Sequence, residues 1–424
     1  MNYEETLSYL YDLQRFGIKL DLSNTISLTN RLGNPHLKFP CIHIAGSNGK
    51  GSVAAMLQSI LSAAGYRTGL YTSPHLVDYR ERIRIGDELI DKNFILDFID
   101  DLKEEINKNG YTFFEVTTAL AFSYFANKKI DIAVLETGMG GRLDSTNIVN
   151  PLISIITNIS LEHTSHLGTT LAQIAFEKAG IIKNGVPTIT SVEDQEVFQV
   201  IKNVCAQRKS TLSVGFKNSD VRIRQLSLDR TIFDFDQYKN LELSLVGGHQ
   251  VTNACLAISA VEKLKETGWK IESEAVRGAL KCVNWRGRLE IARRNPLTLL
   301  DVAHNPAGMK VLVDALEELF PRKEIIFIFG VMADKDYASM LKEICRKAKL
   351  IVLTKPNYKR AADLELLKKV VVKQDKPYKI LPQVKEAYIF ALKNAKREDV
   401  ICITGSHFTV GEFLSQSEKS EVRS

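Results

Sequence analysis

Short apolar runs alternate along this chain with longer stretches whose apolar positions recur at helical spacing. Cys41–Ala45, Asp131–Leu135 and Leu152–Thr157 predict strands, and Ser52–Ala64 and Thr170–Ala179 predict helices. That alternation predicts a parallel sheet covered on both faces. From about Thr211 to Val246 the rhythm shortens to segments such as TIFDFD and LELSLV, which predict an antiparallel meander attached to the first unit. A helix over Gln250–Leu264 follows, and the polar stretch NWRGRLEIARRNP, closing on Pro296, reads as a linker. Beyond it a second alternation (TLLDVA, EIIFIFG, KLIVLT, DVICITG) predicts a smaller doubly wound unit. The expected division is 1–293 and 294–424, with SQSEKSEVRS as a frayed end.

Composition changes this picture little. With 424 residues, 45% apolar and 25% charged, the chain has the balance of a globular protein of two to three domains. No apolar run is long enough to cross a bilayer. The opening MNYEETLSYL lacks the basic and long apolar regions of a secretory signal, so a cytoplasmic location is expected, with no membrane partner. The net charge of +6 comes from dispersed basic residues, so nucleic acid is not an expected partner. Six cysteines form no CxxC pair and read as buried free thiols.

The first candidate chemistry lies in CIHIAGSNGKGS, residues 41–52. Gly46, Gly49 and Gly51 let backbone N–H groups converge on phosphate oxygens, and the next helix aims its N-terminus at them. Lys50 faces the β- and γ-phosphates, and Ser52 offers a hydroxyl to a magnesium ion. Gly51, however, stands where the usual phosphate-loop pattern has Ser or Thr. Strand–glycine turn–helix connections without a ligand also exist. Glu136 ends an apolar strand in DIAVLETGMGG, the sheet edge where a metal-facing acid belongs. In SLEHTSHLG, His163 and His166 precede a helix; a lone loop histidine is ordinarily polar surface, yet His163 emerges at the same edge as Glu136. Lys178 in EKAGII reads, on pattern alone, as a solvated helix lysine. LDVAHNP places Asp301 and His304 before a helix opened by Pro306, suited to a polar substrate or a ribose, with simple capping by Asn305 as the alternative.

Taken in order, HIAGSNGKGS, YTSPHL with ERIRI, LETGMGGRLDSTN, the EH pair, EKAGII, HQVTNA, WRGRLE, LDVAHNP and ITGSHFTV resemble the Mur ligase superfamily. Within it they resemble the folylpolyglutamate and dihydrofolate synthases, over almost the whole chain. That family carries a glycine between the loop lysine and Ser/Thr. Only about forty residues precede Gly46, too few for the extra N-terminal domain of the peptidoglycan ligases.

The resemblance implies an α/β fold: a P-loop NTPase-like doubly wound sheet with a small antiparallel sheet, plus a Rossmann-like C-terminal unit. It implies an ATP-dependent ligase acting on dihydropteroate or reduced folates and L-glutamate, through an acyl phosphate. Asn48, Gly49, Lys50, Gly51 and Ser52 would hold phosphates, with Asn253, Arg288 and Asp301 on the nucleotide. Ser52, Ser73, Glu136 and His163 would hold Mg2+, with a monovalent cation as a further expectation. Lys50, Lys178 and His304 would be catalytic, Lys178 as a carbamate. His304 and Ser406 would face glutamate. The folate side would comprise Gly17, Ile18, Lys19, Leu20, Pro74, His75, Arg82, Thr112, Phe113, Phe114, Glu115, Leu143, Asp144 and Ser145. Glu162 departs from the aspartate frequent before the histidine. Both synthase activities are expected in a monomer, the alternatives being a folylpolyglutamate synthase alone, or a P-loop ATPase or kinase.

Overall fold

Cys41–Ala45 forms the middle of an eight-stranded sheet because both of its faces are apolar. Ile42 and Ile44 pack with Val53 and Leu57 of the helix Lys50–Ala63, while Cys41 turns to the opposite core with Tyr71 and Phe122. This two-sided burial is what a parallel strand needs. The computed structural model describes residues 1–215 and 221–421. Its large sheet runs Glu88–Leu89, Ile83–Ile85, Thr68–Tyr71, Ile132–Glu136, Cys41–Ala45, Ile153–Ile156, Thr188–Thr190 and Leu212–Val214. All neighbours are parallel except at the first two pairings, where short hairpin strands close one edge.

A three-stranded antiparallel sheet (Val221–Leu226, Thr231–Phe235, Tyr238–Leu243) lies beside it, as the short alternation predicts. One part of the expected meander belongs elsewhere: Leu212–Val214 pairs in parallel with Thr188–Thr190 and closes the other edge of the large sheet. Residues 216–220 of that stretch lie outside the described residues.

The expected linker is a second correction. Glu290–Arg294 is an antiparallel edge strand on Leu297–Leu300, so the C-terminal sheet reaches back across the 293/294 division. An edge strand is hydrogen-bonded on one side only, and its polar, exposed side chains gave it the look of a connector. The rest of that six-stranded sheet is parallel, centred on Ile325–Phe329, Val400–Thr404 and Ala348–Leu353. The expected frayed end is helical to Glu421, because Val410, Phe413 and Leu414 carry the helix His407–Glu421 onto the C-terminal core.

The two units meet through apolar contacts. Leu76 and Val77, in the loop after Thr68–Tyr71, pack on the cluster that holds Val410 and Phe413. No described helix is long and apolar enough to cross a membrane. All six cysteines are free, and of them Cys282 alone is exposed.

Candidate active site

The middle strand Cys41–Ala45 delivers its loop at the carboxyl edge of the sheet, between Ile132–Glu136 and Ile153–Ile156, which both come later in the chain. Such a switch in strand order opens a crevice for a ligand. The helix Lys50–Ala63 starts there, its N-cap Gly49 at φ +84°. A Cβ on Gly49 would stand 2.5 Å from Asn253 Oδ1, so that backbone conformation and that closeness both require glycine. A Cβ on Gly51 would meet the Trp285 indole nitrogen at 3.0 Å. The glycine between Lys50 and Ser52 thus lets an indole lie against the first helical turn.

Ser52 Oγ is buried without a hydrogen-bond partner, which marks it for a ligand. Lys50 Nζ arches back to donate to Gly46 O at 2.9 Å and Ser47 O at 3.4 Å. Asn48 behaves differently from its neighbours. Its N–H donates to Asn158 Oδ1 (2.8 Å), its C=O accepts from Thr157 Oγ1 (2.6 Å), and its side chain pairs with Asn305. With these groups engaged, the donors left facing a phosphate begin at Gly49.

Glu136 ends its strand buried, accepting from Ser73 N–H at 3.2 Å. Burial pushes its carboxyl upward, against the pull of Lys50. His163 takes the left-handed conformation, and burial, reinforced by Lys335, holds its ring at about 4, neutral at pH 7. Ser52, Ser73, Glu136 and His163 line one cleft of about 650 Å³. Among the described residues no three His, Cys, Asp or Glu form a metal cluster. The orphaned Ser52 hydroxyl and the Glu136 carboxylate nevertheless supply the oxygen donors that Mg2+ takes. His166 is exposed and stays out of the cleft.

Lys178 is not the solvated lysine its pattern suggests. It is buried behind the loop, donating to Gly46 O at 2.8 Å and to Glu162 Oε1 at 2.6 Å. Burial lowers its pKa despite the pull of Glu162. Burial alone would raise Glu162, but Lys178 and Lys50 outweigh it and hold the carboxyl at about 2.

Asn253 lines the cleft against the loop at Gly49, and Arg288, Asp301, His304 and Ser406 line it from the side of the C-terminal sheet. Asp301 accepts from Leu289 and Ala303 N–H (3.0 and 2.9 Å), which fixes the turn carrying Arg288. His304 Nδ1 contacts Val302 O at 2.9 Å, and burial takes the ring to about 4. The Ser406 hydroxyl is already engaged, bonded to Gly330 O (3.0 Å) and accepting from Thr409 N–H (3.1 Å) as a helix cap.

The folate-side residues divide. Pro74 and His75 line the cleft, and Arg82 donates to His75 Nδ1 at 2.8 Å. Phe113 stacks on Tyr11 (5.8 Å between centroids) under the Arg82 guanidinium (5.1 Å), and the Phe114 ring lies against Gly138, itself a cleft residue. Lys19 Nζ donates to Gly110 O at 2.7 Å, holding Gly17 and its neighbours beside Thr112, with Ile18 and Leu20 exposed. Glu115 is engaged in a capping box with Thr112 and accepts from Asn24. Asp144 accepts from Met139 N–H, Thr146 N–H and Thr146 Oγ1, while Ser145 is buried and Leu143 half-buried. None of residues 17–20, 112–115 or 143–145 lines the cleft directly.

Sequence reasoning missed Trp285, Lys335 and His407, all cleft residues. The His407 ring lies 5.1 Å from that of His304. Trp285 and His407 were within reach, inside WRGRLE and ITGSHFTV; Lys335 sits in a loop with no pattern to mark it.

A strand-edge phosphate loop, an acid on the neighbouring strand and a second α/β unit closing the cleft define a nucleotide-dependent enzyme of two lobes. Residues 44–261 match the Mur ligase middle domain, and 287–407 the Mur ligase glutamate ligase domain. The Bacillus subtilis dihydrofolate synthase/folylpolyglutamate synthase is 34% identical over 97% of this chain and 98% of its own length. The Thermotoga maritima folylpolyglutamate synthase structure superposes with a TM-score of 0.83 at 35% identity, covering 98% of this chain and 97% of that one. Escherichia coli FolC, solved with DHPP and ADP, gives 0.86 at 30% identity, over 98% of both. The chain belongs to the folylpolyglutamate synthase/dihydrofolate synthase family of the Mur ligase superfamily, and is an ATP-dependent glutamate ligase of folate metabolism.

Proposed function

We propose that this ligase makes both family products in one cleft: dihydrofolate from dihydropteroate, and polyglutamylated folate from reduced folate. The observation that carries the reading is the aromatic cluster around Phe113, which abuts the phosphate-loop cleft through His75 and Gly138. Ring faces suit a pterin or benzoate at either of two depths. The working unit is a single chain, since one chain supplies both walls.

Catalysis begins with the γ-phosphoryl group of ATP passing to the substrate carboxylate, with ADP leaving. Gly49 to Ser52 offer N–H groups at the helix N-terminus, and Lys50 supplies positive charge where it develops in transfer. Ser52, Ser73, Glu136 and His163 would hold magnesium, which supplies charge neutralisation on the phosphates. The glutamate ammonium first gives up a proton to solvent, and the free amine attacks the acyl carbon; the C–N bond forms, the C–O bond to phosphate breaks, and the nitrogen loses its second proton. His304, neutral at pH 7, is placed on the C-terminal wall to accept that proton. Closure of the two lobes keeps water from the acyl phosphate.

Lys178 has a further role in this reading. Burial lowers its pKa although Glu162 favours the cation, and the fraction that loses its proton is an amine whose nitrogen can attack CO2, forming an N–C bond and releasing a second proton. A Lys178 peptide heavier by one CO2 supports the carbamate; an unmodified mass in active enzyme at neutral pH counts against it.

Purified protein given dihydropteroate, then tetrahydrofolate, each with ATP, Mg2+ and glutamate, tests the whole. Both should yield glutamate-dependent phosphate and a new amide. Turnover of tetrahydrofolate alone removes the first activity and leaves a folylpolyglutamate synthase.

A further inference from the structure

Two asparagines far apart in sequence exchange hydrogen bonds across the cleft. Asn305 Nδ2 donates to Asn48 Oδ1 at 2.9 Å, and Asn48 Nδ2 donates back to Asn305 Oδ1 at 3.3 Å. Each is anchored in its own lobe. The backbone of Asn48 is held on both sides, by Asn158 and Thr157. Asn305 is buried, and its Oδ1 also accepts from Gly308 N–H at 2.7 Å, capping the helix Pro306–Leu319. Neither partner can shift without pulling on a fixed element.

We propose that the Asn48–Asn305 pair is a latch that couples lobe closure to the phosphate loop, so that the acyl phosphate meets glutamate rather than water. The residue types fit this task. A primary amide carries both a donor and an acceptor, so one Asn305 side chain caps its helix and still returns a bond to the loop. Serine or aspartate caps equally well but offers no amide donor in return. Gly308 leaves the room: a Cβ there would stand 3.1 Å from Asn305 Oδ1 and 3.4 Å from Asn48 Oδ1. Contacts elsewhere between the lobes, among them the exposed Arg294–Asp229 pair at 2.8 Å, serve a different end. Leu76 packs in the C-terminal core, and Tyr358 Oη donates to Gln14 Oε1 at 3.1 Å on the surface; both hold the lobes together away from the loop. The amide pair instead ties closure to the residue next to Gly49. Asn305 is therefore a positioning residue, acting through Asn48.

The inference rests on the ligase reading, and the test separates the two. Wild type, Asn305→Ser, Asn48→Ala and the double variant are assayed for phosphate released per amide formed, with kcat and KM for ATP. Asn305→Ser keeps a capping oxygen and should fold; Asn305→Asp is a second variant with the same property. Wild type should give about one phosphate per amide, as the balanced reaction requires. Asn305→Ser should form amide roughly tenfold to a hundredfold more slowly, the scale of a small misplacement. Its phosphate-to-amide ratio should rise above one as water takes the intermediate. The double variant should be no worse than the poorer single one. A ratio that stays at one in both Asn305 variants overturns the latch, whatever happens to kcat or melting temperature. Losses that multiply in the double variant overturn it as well. No amide from wild type counts instead against the ligase reading.

Discussion

The phosphate loop and the aromatic cluster beside it use their polar groups in opposite ways. At the loop, Ser52 Oγ is buried without a partner and the first N–H groups of the helix Lys50–Ala63 face the cleft. Around Phe113 more of the polar groups are satisfied internally: Glu115 Oε2 serves a capping box, though its Oε1 is buried without a partner, and Asp144 accepts three hydrogen bonds from its own loop. What is left there for a ligand is ring edge, the Arg82 charge and the unpartnered Glu115 Oε1. An anion site is built from donors left open; a ring site is built from surfaces, with acids that hold the walls.

Lys50→Ala should break the loop side of this comparison most severely. It removes the charge facing the transferring phosphoryl group, and a loss of about a hundredfold or more in kcat, roughly 3 kcal/mol of barrier, is expected. The melting temperature should stay near wild type, because Lys50 Nζ contacts only loop carbonyls here. Near wild-type turnover would place the ATP phosphates elsewhere.

A smaller effect links the two regions from behind. Thr146 Oγ1 donates to Asp144 Oδ1, so at its 2.8 Å contact with His43 Nε2 the hydroxyl must accept and the ring nitrogen donate. His43 Nδ1 is then a buried, unpartnered nitrogen, and a proton added there finds no acceptor. Burial, helped by Lys183, holds His43 at about 3. That lies below the unfolded value, so the unfolded chain binds the proton first and stability is lost as pH falls below about 6.5. Between pH 6.5 and 5 this one group should cost about 2 kcal/mol. Urea unfolding at pH 7 and pH 5 should show His43→Gln losing less stability on acidification than wild type; equal losses would remove His43 from the account.

Much of this was legible in the sequence, and the failures share a cause. Strands buried on both faces, such as Cys41–Ala45 and Ile325–Phe329, were visible because both faces must be apolar. Glu290–Arg294 was read as linker because an edge strand carries no such demand. At the site, Gly49, Lys50 and Ser52 were readable from local spacing. The ion pair of Lys178 with Glu162 and the pairing of Asn48 with Asn305 depend on contacts between distant segments, which spacing does not report.

Asp144→Asn sharpens the contrast on the other side. The carboxylate is fully engaged with its own loop, so the loss should appear as stability, roughly 1.5 kcal/mol, with little change in KM for a pteridine substrate. Differential denaturation and steady-state kinetics on one preparation separate the two. A large rise in KM at unchanged stability would make Asp144 a substrate contact after all.

Phe113→Ala should do the reverse, with the smallest effect of the four. Phe113 is half-buried, stacked on Tyr11 at 5.8 Å and capped by Arg82 at 5.1 Å, so a ligand would meet its exposed edge or take the place of one of these partners. Losing one stacking partner costs about 1 kcal/mol, roughly a fivefold rise in KM for dihydropteroate or tetrahydrofolate. KM for ATP and for glutamate should not move, because neither meets this ring in the arrangement described. Tyr11 and Tyr79 remain to hold the wall, so the stability loss should fall below that of a fully buried phenylalanine. If KM rises for one folate-type substrate and not the other, Phe113 serves one depth of the pocket, and the two synthase reactions use different faces of it. If KM is unchanged for both, the ring is wall rather than site, and the aromatic cluster no longer supports the pterin reading.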